Sequence, residues 1–250
     1  MSDSTTTDPR PAALDAARHT AQAVQDVGAK SMLDMDMYGE VAGLGYQGLG
    51  FYIAGRGGVL GDVEHVEVFE AMTFFPAETV QAGWESSASV ESRADSAGRF
   101  AGYAARWGAN NVADGTEGLD RLAELCDKVI QAADGSDAPL FAGWRDLPEP
   151  DGEPDLVVHR MNALRAARHI AAIRQVGLDP ATAFMIRTPY MAGIFGWPEP
   201  SEPPAEIDKD LWQSAEDLTE RAFAADLAVL DDDELAELCR LTDALLAAIP

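Results

Sequence analysis

From residue 11 onward, apolar residues return every three or four positions, the spacing of a helix face, and nowhere do they alternate long enough to build a sheet. The pattern predicts helices over residues 11–27, 63–75, 77–84, 89–107, 116–133, 153–176, 180 to about 190, 207–226 and 231–248, with a glycine-rich helical stretch at 31–54. In segment 116–133 the period is plainest, with Leu119, Leu122, Cys126, Val129 and Ile130 on one face. Gly28 is placed to end the first helix. Pro76 is placed to stop one helix and start the next, and Asp179-Pro180 to cap and open a helix after Gly177.

Glycine and proline mark the breaks. Gly39, Gly43, Gly45, Gly48 and Gly50 crowd the stretch 31–54. Glycine costs a helix interior roughly 1 kcal/mol relative to alanine, so this density implies close helix contact, a break, or space for a ligand. Residues 55–62 read as a glycine turn with positive φ, or as a backbone cradle to which Arg56 adds charge. Residues 136–152, with Pro139, Pro148 and Pro150, read as a loop. The expected architecture is all-α: a flexible tail at 1–10, a multi-helix main domain at 11–198, a Pro/Glu linker at 199–205 and a small helical pair at 206–250.

Charge changes this picture more than composition does. The 250 residues carry a net charge of −25, which opposes attraction to nucleic acid or anionic membrane. Yet residues 156–198 hold five arginines and two histidines against one aspartate, a net of +4. The polar positions of 153–176 do not gather on one side when stepped at about 100° per residue. His159, Asn162, Arg165 and His169 form one loose seam, while Arg160, Arg168 and Gln175 lie among Met161, Leu164, Ile170 and Ile173. A helix without a clean apolar stripe sits against protein on several sides, so some of its cations are buried and need partners. Asp34, Asp36 and Glu40 are the expected carboxylates, and the alternative is that the cations face a ligand. Arginine suits a carboxylate or phosphate, and histidine suits proton transfer near neutral pH.

The candidate site is therefore His159 and His169 as catalytic groups, with Tyr52, Arg56, Asn162 and Arg165 binding an anionic or carbonyl small molecule. Tyr46, Phe51, Phe74, Phe75, Tyr190 and Trp197 either wall the pocket or fill the core. No motif identifies a cofactor: residues 55–62 lack the Gly-Lys-Ser/Thr end of a phosphate loop and follow no strand. Glu64, His65, Glu67 and Glu70 read as a solvated acidic face, and no metal site is expected. Cys126 and Cys239 are expected to be reduced core residues. The longest nearly uncharged run, residues 41–54, has 14 residues against the roughly 20 that span a bilayer, so no membrane partner is expected. With no secretory pattern at the start, a cytoplasmic location is expected.

Residues 50–63, Gly-Phe-Tyr-Ile-Ala-Gly-Arg-Gly-Gly-Val-Leu-Gly-Asp-Val, continue to Phe74-Phe75-Pro76 and Trp84. They resemble the N-terminal signature of an actinobacterial family of helical proteins of largely unassigned function, catalogued with a C-terminal winged helix-turn-helix. A second likeness runs through His159, Leu164-Arg165, His169 to Ile173, and Gly177-Leu178. A looser one touches Gly196-Trp197, Trp212 and Thr242-Asp243. The family's short glycine-containing insertion before the second histidine is absent, as is the glycine turn of the wing between Ala225 and Asp233. The resemblance implies a degenerate winged-helix remnant at the C-terminus, hence the alternative of a regulator that acts through protein contacts. Residues 199–250 carry fifteen acids and three bases, so DNA binding is not expected. The acidic pair is expected to pack on the main domain, to cover the pocket, or to make a homodimer contact.

Overall fold

The computed structural model describes residues 9–148, 155–198 and 202–249, and among these every regular element is helical and no strand occurs. The chain is all-α. In order, the elements are α1 (Pro11–Met32), α2 (Met35–Leu44), α3 (Gly50–Gly57), a 3-10 turn (Gly58–Leu60), α4 (His65–Met72), α5 (Ala77–Ser87), α6 (Arg93–Asn111) and α7 (Leu119–Ala132). There follow α8 (Pro139–Asp146), α9 (Asp155–Val176), α10 (Pro180–Arg187), a second 3-10 turn (Pro189–Met191), α11 (Ala192–Phe195), α12 (Glu206–Leu227) and α13 (Asp232–Ala248).

Local chemistry accounts for most boundaries. The Asp34 carboxylate accepts from the backbone of Asp36 and Met37 and starts α2, and Gly45 ends it at φ 109°. The stretch 31–54 is thus broken in two. Ser92 caps α6, Asp179 caps α10 ahead of Pro180, and Asp231 caps α13.

Three expectations are corrected. Gly28 does not end α1, which runs on to Met32. A side chain there would meet Asn162 of α9 at 2.9 Å, so glycine serves close helix approach. The loop expected at 136–152 contains α8, opened by Pro139 at its first position and held by the buried Phe141 and Trp144. Residues 55–62 are mostly helical, and only Gly61 has positive φ. Gly55 and Gly58 are needed for space: a Cβ on Gly55 would strike the Phe100 ring, and one on Gly58 the carbonyl oxygen of Arg93.

α9 runs through the middle. It packs against α1, α6, α7, α8 and α12, and buries Met161, Leu164 and Ile173. α3 packs on α5 and α6, while α12 and α13 pack on α1. Most of the core is continuous from Phe51 and Phe100 through Trp144 to Phe223 and Leu238. Of the tail expected at 1–10, residues 1–8 lie outside the described residues. Arg10 donates to Asp232 at 2.6 Å and to the Leu230 carbonyl, which ties the start of α1 to the α12–α13 turn. In the linker segment, residues 199–201 also lie outside the described residues. Cys126 and Cys239 are free thiols, the first buried and the second half-buried at the core's edge.

These glycines give a paired prediction. Gly58→Ala should lower the unfolding free energy by about 2 kcal/mol, because backbone must move to admit the methyl. Gly39→Ala, in the exposed interior of α2 with nothing near its Cβ, should raise it by up to ~1 kcal/mol. Urea unfolding followed by circular dichroism measures both.

Candidate functional site

A chamber of about 680 Å³ opens between α9 and the elements around it. α9 supplies Asn162, Ala163, Arg165, Ala166, His169 and Ile170, which recur on one side at helical spacing. α3 adds Tyr52 and Arg56, α10 adds Phe184 and Arg187, and α12 adds Trp212 and Glu216. The apolar wall is aromatic: Phe75 stacks on Phe195 at 4.7 Å, Tyr52 contacts both rings, and Phe184 contacts Phe195. Small alanines on α9 leave the volume open.

The structure brings five of the six candidate residues to this one chamber: Tyr52, Arg56, Asn162, Arg165 and His169. Arg56 donates from Nη1 to the Tyr52 hydroxyl at 2.7 Å, and its buried Nε has no partner. Asn162 donates to the Val24 carbonyl at 3.2 Å, beside Gly28. Arg165 is buried and makes one hydrogen bond, from Nη2 to Glu216 Oε2 at 3.2 Å. Burial pushes its pKa down, and the nearby Arg187 acts in the same direction. Arg187 in turn donates to Gln25 Oε1 at 2.6 Å.

His169 sits between the rings of Phe74 and Trp212. The Thr219 hydroxyl gives its hydrogen to the Ala215 carbonyl at 2.7 Å, so its oxygen accepts from His169 Nδ1 at 3.1 Å. This arrangement assigns the proton to Nδ1 and leaves Nε2 as an acceptor. Burial, then Arg165 and Arg187, lower the His169 pKa to about 4. Glu216 lies 3.4 Å from the ring but is shared with Arg165 and does not offset them.

His159 is placed differently. It is buried beside Arg56, packed on Trp144 at 4.7 Å and Phe100 at 5.8 Å, and is not part of the chamber wall. Neither ring nitrogen has a hydrogen-bond partner, and burial lowers its pKa to about 3. It is a neutral core ring in this structure.

The expected carboxylate partners are corrected. Asp34 is engaged in capping α2, Asp36 is exposed, and Glu40 binds Arg106 and Tyr103, each at 2.8 Å. Among the described residues, the carboxylate partners of Arg165 and Arg168 come from α12. Glu216 meets Arg165, and Asp226 receives two bonds from Arg168, both at 2.8 Å. Arg160 is held by the carbonyls of Trp144 and Leu147, and Arg174 by the Glu70 carbonyl and Thr73. Of the other aromatic candidates, Phe74 and Phe75 line the chamber, Tyr46 and Phe51 lie in the core, and Tyr190 is exposed. Trp197 donates to the Phe74 carbonyl at 3.2 Å.

Sequence reasoning missed Trp212, Glu216, Phe184, Phe195 and Arg187 as chamber residues. The available signal was charge balance, since a buried positive helix needs acids and α12 is the most acidic long helix near it.

Among the described residues, no three or more His, Cys, Asp or Glu side chains gather as a metal set, and no helix is long and apolar enough to cross a membrane. What fold and chamber define is an all-helical protein with a partly open, mixed-polarity cavity. The chain matches the helix-turn-helix family over residues 17–250 and belongs to it. Neither the curated proteins nor the solved structures contain a match to it.

The depressed pKa of His169 has a stability consequence. The neutral ring is the native form, so its contribution is fully present above the unfolded value near 6.5 and is lost as pH falls from there through about 4. His169→Gln should remove this part of the acid sensitivity. The stability gap between wild type and variant should shift by on the order of 3 kcal/mol between pH 7 and pH 4. Urea unfolding at the two pH values reads this, and a gap that does not move would show that the ring protonates equally well folded and unfolded.

Proposed function

We propose that this member of the helix-turn-helix family binds a small molecule in the chamber, and that the ligand carries an anionic or carbonyl group. The observation behind this is the chamber itself. Its volume lies in the range of small-molecule sites, its surface is mostly apolar with an aromatic wall, and Tyr52, Arg56, Arg165 and His169 line it with donors to spare. Arg165 and Arg56 each make a single hydrogen bond through the guanidinium and retain donors for a ligand oxygen. Tyr52 positions Arg56, Asn162 lines the chamber beside them, and His169 Nε2 offers an acceptor to a ligand hydroxyl or N–H.

Binding fits this site better than acid–base catalysis. A general base works best with a pKa near the working pH, and burial holds both His159 and His169 far below it. His159 then acts as a shape element that backs Arg56.

Family membership favours a second reading, that of a regulator acting through protein contacts. α12 and α13, joined by residues 228–231, form the C-terminal helical pair. The second helix opens with Asp231, Asp232, Asp233 and Glu234, where a recognition helix would meet phosphate. That end repels DNA, and α13 is packed on α1 and α7.

The apolar monoanion 1-anilinonaphthalene-8-sulfonate probes the chamber directly. Fluorescence titration should show one saturable site in wild type, and Ala166→Trp, which projects into the chamber, should weaken it at least ~10-fold. Non-saturable binding, or binding unaffected by Ala166→Trp, would refute the chamber as the site. Fluorescence anisotropy with duplex DNA at physiological salt should show no saturable binding.

A further inference from the structure

The contact between α9 and α12 narrows the kind of ligand, on the premise that the chamber is a binding site. Arg165 presents a five-donor fork built for two parallel bonds to one carboxylate, yet it makes one bond of 3.2 Å to Glu216. None of its remaining nitrogens is a sealed, partnerless atom, and the residue lines the chamber, so those donors face open space. The neighbouring Arg168 shows what a full contact looks like here, with two bonds of 2.8 Å to Asp226.

Two further facts bear on what could complete the fork. The Glu216 side chain is 22 % exposed, so its carboxylate has a way out to water without passing through the core. Among the described residues, four arginines and four acids line the chamber, but Glu67, Glu70 and Asp137 are exposed, so Glu216 is the one part-buried acid, set against the buried Arg165. A ligand anion added beside Glu216 would set two like charges against one buried guanidinium. A ligand carboxylate that takes the place of Glu216 preserves the balance, whereas a dianionic phosphate does not.

We infer that the chamber takes an apolar monocarboxylate, and that its carboxylate replaces that of Glu216 on Arg165. Arg187 and Gln25 flank the position, and the apolar body lies along Phe75, Phe184 and Phe195. Glu216 is then the internal occupant of the ligand's own anion seat.

Competition against the bound naphthalene sulfonate tests this with decanoate, decanamide and decyl phosphate. Decanoate should displace the probe at a concentration at least ~10-fold lower than either analogue. Glu216→Gln removes the competing charge and should tighten decanoate by ~10-fold while leaving decanamide within about twofold. Arg165→Lys keeps the charge, loses the fork, and should abolish the preference for decanoate. Should Arg165→Lys not fold, Glu216→Gln decides alone. Equal competition by decanoate and decanamide, failure of decanoate to displace the probe, or weaker decanoate binding in Glu216→Gln would each overturn the inference and leave the chamber reading intact. Absence of saturable probe binding in wild type would remove both.

Discussion

The pairing of arginines on α9 with carboxylates on α12 is the constraint on which the rest depends. α9 is packed against five helices, so its buried Arg160 and Arg165 and half-buried Arg168 cannot rely on water alone. A guanidinium stripped of water and left alone costs several kcal/mol, which forces the acidic helix against the basic one. The two principal pairs are not alike. Arg168 and Asp226 are joined by two short bonds, and this contact raises the arginine's pKa despite burial. Arg165 has one longer bond, and burial outweighs it. The first pair is saturated and fastens the helices. The second is unsaturated and stands at the chamber wall.

The same contrast separates fold from site around the chamber. Where a buried cation is tied to protein carbonyls, as Arg160 is to those of Trp144 and Leu147, the residue completes the core. Where alanines replace larger side chains along α9, the helix surface recedes and a cavity remains beside incompletely used donors. The C-terminal helical pair thus contributes Trp212 and Glu216 to the chamber as well as packing on α1.

Much of the fold could be read from the chain because helix period and capping are local. Asp179-Pro180 opens α10 and Pro76 precedes α5 as the sequence suggests, whereas α4 ends before Pro76, at Met72 with Thr73 at positive φ. The glycines were harder. Gly28 looks like a stop, but its role is set by Asn162, far along the chain, and nothing local distinguishes the two uses. The helix α8 was hidden by its own prolines, although Phe141 and Trp144 bury it as firmly as any element. In the site, the positions of Arg165 and His169 were legible as a charge anomaly. Their partners were not, because several acidic helices could satisfy the same cations and the choice among them is made by tertiary packing.

The claim that charge complementarity fastens α9 to α12 is tested most directly by a double-mutant cycle on Arg168→Ala and Asp226→Ala, with unfolding free energies from urea titration. The account predicts a coupling of about 2 kcal/mol or more for this half-buried bidentate pair. Additivity of the two substitutions within ~0.5 kcal/mol would contradict it and show that apolar packing alone holds the two helices together.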